Sequence, residues 1–252
     1  MLKIRIYPHL KGNMKLKNIL RTKIATLTED GAAPSADAPV KRKMTEPMKQ
    51  HAATFTRAVK AGKLVRRAFE TFLAEVHDRT MHNRLMKVLM QCFKTDKSQP
   101  EDAHPYPNLG MLEKFTFNRR GGLSQQSSAG FNISINRQAG EVTLNIPSFV
   151  PSLYFSDPGR RTHYQFLCSV AELDFDTDGF ETVDLTSGIL PLNNQVATAI
   201  HHVQPIKAGS VLPFIAAFGI QFFGSSNNSR HPLGVCPRDI VLVDVDKPVK
   251  KQ

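Results

Sequence analysis

The chain has 252 residues, 41% of them hydrophobic and 22% charged, so it is long enough to bury a real core and too apolar to be disordered throughout. Its net charge of +11 is confined to one part: residues 1–100 hold 21 Lys/Arg against 8 Asp/Glu, and residues 101–252 hold 12 against 14. No apolar run of about 18 residues occurs, so no transmembrane helix is expected. Three distant cysteines, Cys92, Cys168 and Cys236, supply neither a disulfide framework nor zinc-ligand spacing.

Met1 to Leu27 carries seven basic residues and no acidic one, without the continuous apolar stretch of a secretory signal. Lys3 to Tyr7 alternates basic and apolar residues like a short edge strand, Met14 to Leu27 fits helix or strand, and Glu29 to Val40 reads as a linker. Residues 1–45 are therefore taken as a basic arm and linker. The absence of a signal peptide and of a disulfide pattern favours the cytoplasm.

Residues 46–97 form a helical segment. Thr45 suits an N-cap and Pro47 the first turn. Met48, Ala52, Phe55 and Val59 make one apolar stripe, which Gly62 interrupts. Val65, Phe69, Phe72, Leu73 and Val76 then recur at helical spacing. Asp78 is the expected N-cap of a third helix that carries Leu85, Val88, Leu89 and Cys92 on one side. The helical aromatics Phe55, Phe69, Phe72 and Phe93 fall on the apolar stripes and are expected in the core.

Ser98 to Asn108 has three prolines in eleven residues, and residues 98–110 are taken as a connector. Beyond it the pattern turns to β. Leu112–Asn118, Phe131–Ile135 and Val142–Ile146 alternate, while Tyr164–Phe175 is a denser apolar run. Val196–Val203, Val211–Phe223 and Ile240–Val245 complete the series, with turn-rich stretches at Gln138–Gly140, Asp157–Gly159, Lys207–Gly209 and Gly224–Asn228. Such runs separated by turns predict an antiparallel β-sandwich over residues 111–248. The fold class is α+β, a basic helical N-terminal part followed by that sandwich.

Four stretches carry a resemblance: FTRAVKAGKLVRRAFE from Phe55, LEKFTFN from Leu112, IPSFVPSLYFSDPGRRTHYQFLCSVAELDF from Ile146 and VLPFIAAFGIQFF from Val211. Together they resemble an uncharacterised family of bacterial proteins common in bacteroidetes, over roughly residues 50–246. The resemblance implies an Arg-rich helical segment followed by a β-rich part, and it supplies no activity.

Asp174, Asp176 and Asp178, followed by Gly179, match the start of a calcium loop. An EF-hand loop begun at Asp174 would end in Glu at position 185, where Leu185 stands, so the alternative is an acidic hairpin end. His201 and His202 adjoin in a strand, where neighbours point to opposite faces and do not chelate one ion. No GxSxG elbow, Walker pattern or GxGxxG occurs, and no cofactor is expected. Lys60, Lys63, Arg66, Arg67, Arg79, Arg84 and Lys87 form the candidate basic surface. The leading expectation is a non-enzymatic structural or interaction protein, a subunit of a larger assembly, with a protein partner or self-association. The alternatives are nucleic-acid binding through the basic helices, with few aromatics for stacking, and an enzyme whose site leaves no linear trace.

Overall fold

The computed structural model describes residues 44–94, 106, 108–128, 130–155, 159–226, 229–234 and 236–246. The expected strand Lys3–Tyr7, the segment Met14–Leu27, the linker Glu29–Val40, most of the connector and the Asp157–Pro158 part of a turn lie outside these residues.

Helix α1 spans Glu46–Ala68, the single turn α2 spans Glu70–Leu73 and α3 spans Met81–Cys92. Gly62 does not break α1. A Cβ there would meet Met86 Sδ at 3.2 Å and Leu89 Cδ1 at 3.4 Å, so the missing side chain lets α1 and α3 approach closely. Asp78 stands two residues ahead of the cap position Thr80 and acts as an Asx turn, its Oδ1 accepting from Thr80 N and Thr80 Oγ1, both at 2.7 Å.

The stripe Met48, Phe55 and Val59 is not core. These residues are 55%, 51% and 40% exposed, while Ala58, Ala61, Leu64, Val65 and Ala68 are buried. The burying face of α1 belongs to its second half, where small residues dominate and apolar strength is a poor guide. Phe69, Phe72 and Phe93 are in the core as expected, and Phe55 is not.

The expected strand Leu112–Asn118 is instead a 3-10 turn, Leu109–Leu112, followed by an irregular segment. That segment runs beside the last strand, with Lys114 N donating to Ile240 O at 2.8 Å and an isolated bridge between Thr116 and Asp239. Lys114 has a φ of 65°, which breaks strand regularity. The turn α4, Leu123–Gln126, begins where Leu123 N donates to buried Asp239 Oδ2 at 2.9 Å.

Strands β1 (Asn132–Asn136) and β2 (Glu141–Ile146) form a hairpin. After the turn α5, Pro151–Tyr154, come β3 (His163–Asp174), β4 (Gly179–Thr186), β5 (Leu190–Pro191), β6 (Ile200–Pro205), β7 (Phe214–Ser226), β8 (Ser229–Pro232) and β9 (Arg238–Asp244). One sheet has the order β1-β2-β6. The other centres on the antiparallel pair β3–β7, with β4 and β5 sharing the free edge of β3 and β8 and β9 sharing that of β7. All pairings are antiparallel, and the fold is α+β.

Period-two alternation divides the core between two faces of the large sheet. Tyr164, Phe166, Cys168 and Val170 of β3 and Phe214, Ala216, Phe218, Ile220 and Phe222 of β7 pack with Val142, Leu144 and Ile146 of the small sheet. Ala171, Leu173, Ile215, Ala217 and Ile240 face the helices instead, against Leu64, Val65, Phe69, Leu85 and Leu89. Being covered on both faces, β7 is apolar at successive positions rather than alternate ones.

Candidate interaction surface

The buried residues of α1 fix which of its faces turns outward. At 3.6 residues per turn, Lys60, Lys63, Arg66 and Arg67 fall on the side away from Ala58, Ala61, Leu64, Val65 and Ala68. Lys60, Lys63 and Arg67 are exposed, and Arg66 is half-buried with its Nε donating to Gly62 O at 3.2 Å. Arg67 closes the row at the β3–β4 hairpin, 3.8 Å from Asp178 Oδ2 and over the Phe180 ring at 5.3 Å. Lys87 is exposed on α3, and Arg79 is exposed in the loop before it.

Arg84 is engaged internally. Its Nη1 donates to Thr116 O at 2.6 Å, its Nη2 donates to Asp78 Oδ2 at 2.7 Å and Phe117 O at 3.1 Å, and its guanidinium lies over the Phe115 ring. It ties α3 to the irregular segment beside β9. Burial raises the Asp78 carboxyl's pKa, but hydrogen bonds from Thr80, Arg119 and Arg84 outweigh that and hold it well below the usual range.

The exposed stripe of α1 lies beside the basic row. Met48, Ala52, Phe55 and Val59 are spaced four, three and four residues apart, the a/d spacing of a helix–helix seam. Lys49, Lys60, Lys63 and Arg67 run parallel to it, turned by roughly 90° about the axis. Sequence periodicity shows the stripe; which of two apolar faces is covered depends on where β3, β7 and β9 lie, and no local pattern encodes that.

Of the acidic candidates, Asp174 holds the hairpin turn, Asp178 faces Arg67, and Asp176 enters the turn through its backbone amide. Asp174 Oδ1 accepts from Asp176 N at 2.9 Å and Thr177 N at 3.1 Å, and its Oδ2 accepts from Thr177 Oγ1 at 2.7 Å. The bond from Thr177 Oγ1, with those two amides, lowers the Asp174 pKa. Asp178, at φ 63°, turns to Arg67. Among the described residues no group of three His, Cys, Asp or Glu is arranged to hold a metal ion. His201 and His202 both lie on β6, with His201 Nδ1 3.1 Å from Asn145 Oδ1.

The cysteines are buried. Burial pushes the thiols of Cys92 to about 11 and Cys168 to about 12 and raises that of Cys236, so all three are neutral core groups. A cavity of about 330 Å³ opens beside Tyr164, Leu190, Val196, Ile200 and His202. The Tyr164 hydroxyl is buried without a hydrogen-bond partner, and burial pushes it up to about 12. Its oxygen presents almost no accessible surface. Among the described residues no helix is long and apolar enough to cross a membrane. No family model and no curated protein matches the chain.

Proposed function

We propose that this is a non-enzymatic interaction protein, a subunit of a larger assembly, that docks a partner along α1. The observation that carries the reading is the exposed seam of Met48, Phe55 and Val59 beside a row of lysines. Isolated exposed apolar side chains are ordinary, but an a/d row with a charged flank is how helices choose partners. The occupant is an acidic amphipathic helix of another protein. A second copy of α1 would set Lys49, Lys60, Lys63 and Arg67 against the same residues, and on the three helices described above Glu46 and Glu70 alone would offset them. In this reading the two sheets are the leaves of a β-sandwich that carries the helix, and the chain is a member of the bacterial family its sequence resembles.

The test is titration of the whole protein with a synthetic helix bearing Leu at a and d and Glu at e and g. Binding is expected to the wild type and to fall at least tenfold in the double variant Phe55→Glu, Val59→Glu, while a Lys-flanked version of the helix does not bind. Equal binding of both helices would overturn the charge argument. Self-association abolished by the same double variant would replace the partner with a second copy. The basic row also supports a second reading, nucleic-acid binding. Tight duplex binding at about 0.15 M salt, lost in Lys60→Gln, Lys63→Gln with a flattened salt slope, would place that reading first.

A further inference from the structure

We propose that the cleft between the loop His77–Thr80 and the loop Asn118–Arg120 binds a small phosphate-dense anion of the di- or triphosphate class. The cleft has a volume of about 730 Å³ and is lined by His77, Asp78, Arg79, Thr80, Asn118, Arg119 and Arg120. Arg79, Arg119 and Arg120 are all exposed, and among the described residues none of the three guanidinium groups is paired with a carboxylate. Three forked cations around one open space are the geometry that phosphate oxygens accept bidentately.

The two loops are held in place without using these side chains. Asp78, the one acid in the lining, has both oxygens occupied: Oδ1 by Thr80 N and Oγ1, and Oδ2 by Arg84 Nη2 and, at 3.0 Å, by Arg119 N. Its charge is offset by Arg84 beneath, so it does not neutralise the cleft. The opposite loop is pinned by buried Asn118, whose Nδ2 donates to Cys236 O at 3.1 Å and whose Oδ1 accepts from Arg120 N at 3.2 Å. A frame built on one carboxylate and one amide thus carries three guanidinium groups that no carboxylate among the described residues pairs with.

The lining decides among phosphate-bearing ligands. Among the described residues the lining holds three arginines and one imidazole and no Phe, Tyr or Trp, so charge dominates what the cleft offers and the recognised part is the phosphate chain. The site is independent of the α1 seam, which shares no residue with it.

The experiment is calorimetric titration of the full chain with inorganic tripolyphosphate at about 0.15 M salt, where unfocused surface charge is screened beyond roughly 8 Å. Saturable binding is expected, weakened about tenfold or more in Arg119→Gln, Arg120→Gln and again in Arg79→Gln. It should be unchanged in Lys60→Gln, Lys63→Gln. These are exposed positions, and circular dichroism checks that each variant folds. Absence of binding, or equal weakening in the lysine variant, would overturn the site. A DNA duplex that displaces tripolyphosphate with equal potency per phosphate would also overturn it, because the cleft would then be part of an extended polyanion track.

Discussion

Arg238 shows how much one residue can carry in this fold. It is 1% exposed, with Nε donating to Phe72 O at 3.3 Å, Nη1 to Ile220 O at 2.8 Å and Pro237 O at 2.9 Å, and Nη2 to Gln221 Oε1 at 2.8 Å. The guanidinium is thus satisfied by carbonyl-type oxygens of α2, β7 and the approach to β9. Burial lowers its pKa, yet an arginine has room to lose and stays charged. Gly219 makes the space: a Cβ there would lie 2.4 Å from Arg238 Cδ and 2.7 Å from Pro237 O. Arg238→Met should therefore cost about 3 kcal/mol or more in urea unfolding, since it strands several buried acceptors at once. Gly219→Ala should cost about 1–3 kcal/mol by overpacking, even though alanine normally improves on glycine. A neutral result for Arg238→Met would mean that these carbonyls find other donors.

At the scale of elements, α1 is divided along its length. Leu64 is fully buried and Phe55 is half-exposed, though the larger side chain belongs to Phe55. Leu64→Ala should lose about 2–5 kcal/mol, while Phe55→Ala should stay within about 0.5 kcal/mol, both read from denaturant midpoints. The sequence could not separate them, because helical period shows which residues share a face and not which face meets the sheet. Strands β1, β2, β3, β7 and β9 were legible from alternation or from dense apolar runs. Strand β4 was not: Glu181, Thr182 and Asp184 fill its middle, and it lies at an edge where burial is weak. Strands β5 and β8, of two and four residues, are defined by pairing with β3 and β7 rather than by their own pattern. The Leu112–Asn118 alternation misled in the opposite sense. Its Phe115 and Phe117 are buried, but the backbone between the 3-10 turn and β9 is irregular. Arg119 and Arg120 were visible in the sequence only as a dipeptide; the contact between Asp78 and the Arg119 amide, 41 residues away in the chain, brings them to Arg79.

At the scale of the whole molecule, the described residues from Glu46 to Asp246 form one compact unit in which the helices and the small sheet cover opposite faces of the same β3–β7 pair. Helical and sheet packing therefore depend on each other. Thermal unfolding should show one transition, with the far-ultraviolet helical signal and the near-ultraviolet signal of the tyrosines and phenylalanines coinciding. A helical signal that melts separately would show that the shared core does not couple the two layers. Other arginines besides Arg238 join layers in the same way. Arg137 donates from Nε to Asp244 Oδ2 at 2.8 Å and from Nη1 to Ser210 O and Leu212 O, fixing the β1–β2 turn to the end of β9. The basic character of the chain is thus partly interior, and net charge alone overstates the surface it offers to anions.

The position of β9 has a consequence for biosynthesis. Ile240 completes the layer beneath α1 and α3, and Arg238 joins that layer to α2, yet both come from the last of the described strands. The ribosome makes the helices long before the surface that they cover. Until β7 and β9 emerge and pair, Leu64, Val65, Phe69 and Leu89 have no sheet to rest on, and the nascent chain carries an uncovered apolar helical face that a chaperone can hold.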